Sequence, residues 1–117
     1  MKQKALICEK GVEKMDCRYE LENGRLIVAM PKEVDHHSAV KLRREIDMLI
    51  GAYHVRQLIF DFAGTEFMDS SGIGVVIGRC KHMKYSGGSV EAENLNHRLK
   101  KIFLVSGLNG IITVHRK

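Results

Sequence analysis

The stretch from Leu58 to Cys80, LIFDFAGTEFMDSSGIGVVIGRC, contains the change of pattern that decides the fold class. Leu58-Ile59-Phe60-Asp61-Phe62 is a short apolar run and reads as a buried strand. A loop with Gly64 follows, then Asp69-Ser70-Ser71-Gly72, whose carboxylate and hydroxyls are helix N-cap material. Beyond them the apolar residues take helical spacing, with Ile73, Val76, Ile77 and Cys80 expected inside. Ser86-Gly87-Gly88 ends that helix, glycine supplying the left-handed cap. Strand, loop and helix in this order are one half of an α/β crossover unit.

Working outward, Tyr19 to Glu22 and Arg25 to Met30 are extended runs joined by Asn23-Gly24, a favoured hairpin turn. After Pro31 the period becomes 3.6, and Ala39, Leu42, Ile46, Leu49 and Ile50 form one apolar stripe with Lys41, Arg44, Glu45 and Asp47 largely off it. Downstream, Ser89 to Ala92 is a weaker strand. Asn94 or Asn96 caps a third helix with Leu95, Leu99, Ile102 and Phe103 inward, Gly107 ends it, and Ile111 to Val114 is a last strand. The order β-β-α-β-α-β-α-β predicts an α/β domain with a mixed, mostly parallel sheet and helices mainly on one face. Residues 15–117 make up that domain. Residues 1–14 are an N-terminal extension or an edge strand through Ala5 to Cys8. Ala5, Leu6 and Ile7 are expected to turn inward over apolar surface left open near the last strand, since the chain stops soon after it.

The chain has 117 residues, enough for a single hydrophobic core, and at 44% hydrophobic and 28% charged it has an ordinary globular composition. Its apolar runs are far shorter than the roughly 20 residues of a membrane span, and the basic N-terminus lacks the apolar run of a signal peptide. The expected location is cytoplasmic. Cys8, Cys17 and Cys80 are odd in number and have no CxxC spacing, which favours buried free thiols over disulfides or zinc. The net charge of +5 is spread along the chain, eleven cations against nine acids over residues 1–60 and eight against five thereafter. Arg79 to Lys84 and Arg98 to Lys101 are expected toward helix ends, where cations suit the dipole. This is a solvated surface, and no nucleic-acid partner is expected.

The segment Phe67 to Arg79 is the densest candidate for function. Ser70 and Ser71 stand at the positive end of a helix, where a phosphate on either would be tolerated. Gly72, Gly74 and Gly78 each cost a helix about 1 kcal/mol relative to alanine, so a neighbouring element or a partner is expected to pack on bare backbone, above all at Gly74 and Gly78. Ile77 stands where a dinucleotide fingerprint needs glycine. Met68 or Asp69 stands where a nucleophile elbow needs it, and the Lys-Ser/Thr of a P-loop is absent. No catalysis is expected. Asp35-His36-His37 at the start of the first helix includes a natural cap, Asp35. Adjacent histidines about 100° apart do not face one ion, so no metal is expected.

Asp35-His36-His37-Ser38-Ala39 before the first helix and Phe67-Met68-Asp69-Ser70-Ser71-Gly72-Ile73-Gly74-Val75-Val76-Ile77-Gly78-Arg79 before and within the second together resemble the STAS domain of anti-sigma factor antagonists, most closely the sporulation anti-sigma F type. Arg98 to Leu108 also matches, and the resemblance runs from about Met15 to Arg116. It implies a regulatory protein of sporulation transcription, monomeric, without cofactor or membrane attachment. Unphosphorylated, such a protein binds an anti-sigma factor that is also a serine kinase and so releases a sigma factor. Phosphorylation of the first serine after the aspartate, here Ser70, switches it off, and a PP2C-type phosphatase restores it. Asp35 corresponds to the family's acidic residue beside that site. His36, Asp69, Ser71, Gly72, Gly74 and Arg79 are expected to flank the phosphosite or contact the partner. The chain departs from the family pattern at Lys32, where glycine is usual, beside Pro31, and in the acidic character of Ser89 to Glu93, which suggests a less covered edge. Another partner-switching pathway using the same switch, or a small anion- or nucleotide-binding protein using the same helix start, are the alternative readings.

Overall fold

Residues 4–7 and 18–115 are described by the computed structural model, with side chains from Tyr19 to His115. Strand β2 (Arg18–Glu22) pairs antiparallel with β1 (Lys4–Ile7) on one side and with β3 (Arg25–Ala29) on the other. Asn23 and Gly24 between β2 and β3 have φ of 50° and 80°. Positive φ at both central residues is the turn whose twist matches the flanking strands, and it demands this residue pair.

After β3 come β4 (Glu33–Val34), α1 (His36–Ala52), β5 (Gln57–Asp61), β6 (Phe67–Met68), α2 (Ser70–Tyr85), β7 (Ser89–Glu93), α3 (His97–Ser106), a 3-10 turn (Leu108–Gly110) and β8 (Thr113–His115). The main sheet has the order β1-β2-β3-β5-β7-β8, and from β3 onward every pairing is parallel. Each step moves in the same direction across the sheet. Crossovers of one hand therefore carry all three helices over the same face. Leu26 and Val28 of β3, Leu58 and Phe60 of β5, and Val90 and Ala92 of β7 form one buried cluster with the inner stripes of the helices. The mixed α/β architecture expected from the sequence is the one observed.

Helix α1 buries Ala39, Leu42, Ile46, Leu49 and Ile50, the stripe expected, together with Glu45, which accepts a 2.6 Å hydrogen bond from the Tyr19 hydroxyl. Asn96, rather than Asn94, caps α3, accepting from the Leu99 N–H at 2.8 Å. Gly107 ends α3 at φ 83°.

Four expectations need correction. Helix α2 buries Gly72, Val75, Val76, Arg79, Cys80 and Met83, while Ile73 and Ile77 are only half-buried. The stripe is turned because Gly72 is drawn against β4 and β6. Second, β7 is no edge strand: it lies between β5 and β8, with Glu91 and Glu93 on the face away from the helices. There Glu91 accepts from the Gln57 amide at 2.6 Å and stands 2.6 Å from His115 Nε2. Third, α3 begins at His97, so Arg98 to Lys101 occupy its first half rather than the dipole's negative end. Fourth, β1 adds to the edge of the sheet opposite β8, so Lys4–Ile7 does not cover the surface beside the last strand. The side chains of Ala5, Leu6 and Ile7, and the thiols of Cys8 and Cys17, lie outside the described residues. Cys80 is a buried free thiol whose pKa burial raises.

No helix among the described residues is long and apolar enough to cross a membrane.

Candidate functional site: two helix caps joined by a short ladder

The short strands β4 and β6 form a separate parallel pair, Glu33 opposite Phe67 and Val34 opposite Met68. Each is followed at once by a helix cap, Asp35 for α1 and Asp69 for α2. The Asp69 N–H donates to the Val34 carbonyl at 3.1 Å, extending the ladder by one bond. The two caps therefore stand on neighbouring strands, which are about 4.8 Å apart in any sheet. Two helix N-termini and two carboxylates are brought to one end of the helical layer.

Supports behind this ladder hold it in register. The Lys32 carbonyl accepts from the Glu66 N–H at 2.7 Å, and the buried Thr65 hydroxyl donates to the Pro31 carbonyl at 2.8 Å. The Asn96 side-chain amide donates to the Thr65 carbonyl at 3.0 Å, which ties the loop to the start of α3. Pro31 is buried, and Lys32 is exposed.

Asp35 accepts from the Ser38 N–H at 3.0 Å, and the Asp35 N–H donates to the Ser38 hydroxyl oxygen at 3.1 Å, a reciprocal capping box. The Ser38 backbone hydrogen bond, the largest cause, holds the Asp35 carboxyl below its ordinary pKa, so it is ionised at neutral pH. Asp69 Oδ1 accepts from the Ser71 and Gly72 N–H groups at 2.8 and 3.3 Å. Ser70, the first residue of α2, is exposed, and Ser71 is half-buried. Two of the donors at the helix start, the Ser71 and Gly72 N–H groups, are thus spent on its own carboxylate. An external phosphate or nucleotide would have to displace that carboxylate, which argues against the anion-binding alternative.

Gly72 is the close approach. A Cβ there would stand 2.4 Å from Met68 Cγ and 2.7 Å from Val34 Cγ1, so only glycine lets α2 rest on the β4–β6 ladder. Gly74 and Gly78 behave otherwise, since a Cβ at either meets nothing within 4 Å among the described residues. No described element packs on them. Gly74 lies one turn after Ser70 and is exposed, leaving bare backbone beside the serine.

The remaining candidates separate. His36, the first residue of α1, is exposed at the same end of the molecule. Arg79 is 8% exposed and turns inward, its Nε 2.9 Å from Asp47 Oδ1 of α1. That contact is an ion pair without hydrogen-bond alignment, and Arg79 Nη1 also makes no hydrogen bond among the described residues. Arg79 therefore braces α2 against α1, nine residues along α2 from Ser70, and is not displayed for a partner. Phe67, passed over in the sequence, is 41% exposed beside the cap. Its strand has two residues, too few for an alternation that would have marked the ring as outward. Among the described residues no group of three or more His, Cys, Asp or Glu is arranged to hold a metal.

Residues 16–117 match the STAS domain family. The chain belongs to the STAS family. It is 31% identical over 103 residues to an anti-sigma F factor antagonist of Paenibacillus polymyxa, spanning 86% of this chain and 88% of that one. It is 38% identical over 85 residues to an anti-sigma-B factor antagonist of Bacillus subtilis, spanning 73% and 76%. Two solved structures of the anti-sigma factor antagonist SpoIIAA of Bacillus, each 28% identical, superpose on this STAS domain. The unphosphorylated form does so with a TM-score of 0.76 over 85% of this chain and 87% of that one. The phosphorylated form gives 0.70 over 85% and 90%.

Proposed function

We propose that this STAS domain is an anti-sigma factor antagonist switched by phosphorylation of Ser70. The observation that carries the reading is the placement of an exposed serine hydroxyl beside two carboxylate caps, Asp69 in sequence and Asp35 across the ladder. In the unmodified state this end of the domain presents Ser70, the bare backbone at Gly74, His36 and the exposed ring of Phe67. That mixture of small, polar and aromatic groups suits a protein interface. A phosphate on Ser70 adds a charge of about −1.5 to −2 there, and the Ser71 and Gly72 N–H groups beside it are already taken by Asp69.

The partner is an anti-sigma factor that is also a serine kinase, and binding to it frees a sigma factor. The kinase, with ATP and magnesium, transfers a phosphoryl group to Ser70 and the complex separates. A PP2C-type phosphatase removes the phosphate. The chain acts as a monomer, supplies no catalytic group and needs no cofactor. Residues 15–117 carry the whole switch. Similarity to SpoIIAA, whose unphosphorylated and phosphorylated forms share this fold, supports a switch that works by surface charge without refolding. The 38% identity to a sigma-B antagonist supports, as a second reading, another partner-switching pathway such as general stress, with the same phosphosite and a different kinase.

The test is incubation with ATP, magnesium and each candidate anti-sigma kinase of the same genome, read by intact mass and site mapping. One phosphate on Ser70, absent from Ser70→Ala, supports the reading, and the kinase that transfers it assigns the pathway. A folded chain left unmodified by active kinases overturns it.

A further inference from the structure

A groove of about 1140 Å³ runs between α2, α3 and the start of β8. Its floor includes Val90, Leu95 and Ile112, all less than a tenth exposed, and its rim carries Lys81, Lys84 and Lys100. Among the described residues, no acidic side chain lines it. Leu104, 67% exposed, and Ile111, 53% exposed, continue the apolar surface to the lip. A trough that is apolar at its base, edged by like charges and open to solvent is larger than the isolated hydrophobic positions normal on a surface.

We propose that this groove docks an acidic amphipathic helix of a partner protein, at a surface separate from the Ser70 switch. The apolar floor between two helices receives a leucine-type stripe, as grooves of this kind do. The three lysines then face the acidic flanks of that helix, while a basic helix would meet them with repulsion. The exposed apolar lip at Leu104 and Ile111 lengthens the contact beyond what a small solute would use. Ile77, Lys81 and Lys84 lie 7, 11 and 14 residues after Ser70 on the same helix, so the groove begins about 10 Å from it along the axis and its lysines stand about 16–21 Å away. Phosphate on Ser70 and a helix in the groove are thus compatible. The chain offers two docking faces, one switched and one constant.

The probe is a synthetic amphipathic peptide of about 18 residues, long enough to hold helix on binding, with leucine on one face and glutamate on the other. It is titrated into the isotope-labelled full chain and followed by amide chemical shifts. The expected result is saturable movement of the Ile77, Lys84, Val90, Leu104 and Ile112 amides with Asp35 and Ser70 unmoved. Affinity should fall about tenfold in Lys81→Glu/Lys84→Glu/Lys100→Glu, and also in Leu104→Ser, with both variants checked as folded from the same spectra. Equal binding of a peptide with lysine in place of glutamate, or unchanged affinity in the charge-reversed variant, overturns the proposal. So does decanoate occupying the groove while the glutamate peptide leaves it untouched, which would assign a small amphiphile instead.

Discussion

The Asp69 N–H donates to the Val34 carbonyl at 3.1 Å, and this bond places the start of α2 against the start of α1. Without the β4–β6 ladder that this bond extends, the Asp35 and Asp69 caps would sit at the ends of two unrelated loops. With it, a charge added at Ser70 is felt by both carboxylates and by anything docked over them.

The first prediction concerns that charge. At roughly 6 Å and an effective dielectric of 40–80, each added unit charge meets a neighbouring carboxylate with about 1 kcal/mol of repulsion. Desolvation under a partner raises the total to roughly 1.4–4 kcal/mol, about 10- to 1000-fold in affinity. Ser70→Asp is therefore expected to bind the anti-sigma kinase at least about tenfold more weakly than wild type. Its thermal midpoint should change little, because Ser70 is exposed. Calorimetric titration reads the affinity, and unchanged binding would refute the charge argument.

The glycines of α2 provide a second prediction with opposite signs. Gly72→Ala forces a Cβ into Met68 and Val34, and overpacking of this kind costs roughly 1–3 kcal/mol. Gly74→Ala meets open space and is expected to stabilise the helix by about 1 kcal/mol. If the partner rests on the bare backbone there, the same change weakens kinase binding while raising stability. Urea unfolding paired with a binding assay separates the two effects.

These glycines also show where the sequence stopped being informative. The inner stripe of α1 was legible because its other faces carry Lys41, Arg44 and Asp47, leaving one possible orientation. Helix α2 has apolar residues at Ile73, Val75, Val76 and Ile77, so helical spacing fits more than one face. Its rotation is set by the contact of Gly72 with β4 and β6, two strands of two residues each. A strand that short has no readable alternation. Hence both caps, Asp35 and Asp69, were visible in the sequence, but their adjacency was not. Arg79 looked like a surface cation for the related reason that its partner, Asp47, lies on another helix.

Arg79 carries the third prediction. Burial pushes its guanidinium below the ordinary pKa, with Asp47 opposing the shift, yet it remains cationic at neutral pH. Its side chain is buried and reaches from α2 to Asp47 of α1. Arg79→Ala is expected to cost roughly 1–3 kcal/mol through lost packing. Below the midpoint of its unfolding transition the variant should still accept phosphate on Ser70 at the wild-type rate. A selective loss of kinase binding in a fully folded Arg79→Ala protein would instead return this residue to the interface.

The last prediction is a pH dependence tied to the cap of α1. The Asp35 carboxyl is held below its ordinary value of 3.8, chiefly by the Ser38 N–H, so the folded state binds that proton less readily than the unfolded chain. The contribution is present in full above the unfolded value and fades as pH falls through the lower folded value. Asp35→Asn keeps a capping side chain that accepts from the Ser38 N–H but has no charge to titrate. Wild type and variant should therefore lie closest in stability at the acid end and diverge as pH rises from about 2 toward 5, staying parallel above that. Urea midpoints measured across this range give the difference curve. A flat difference would mean that the Asp35 charge contributes nothing to the cap, and Asp35 would then act there only as a neutral acceptor for the Ser38 N–H.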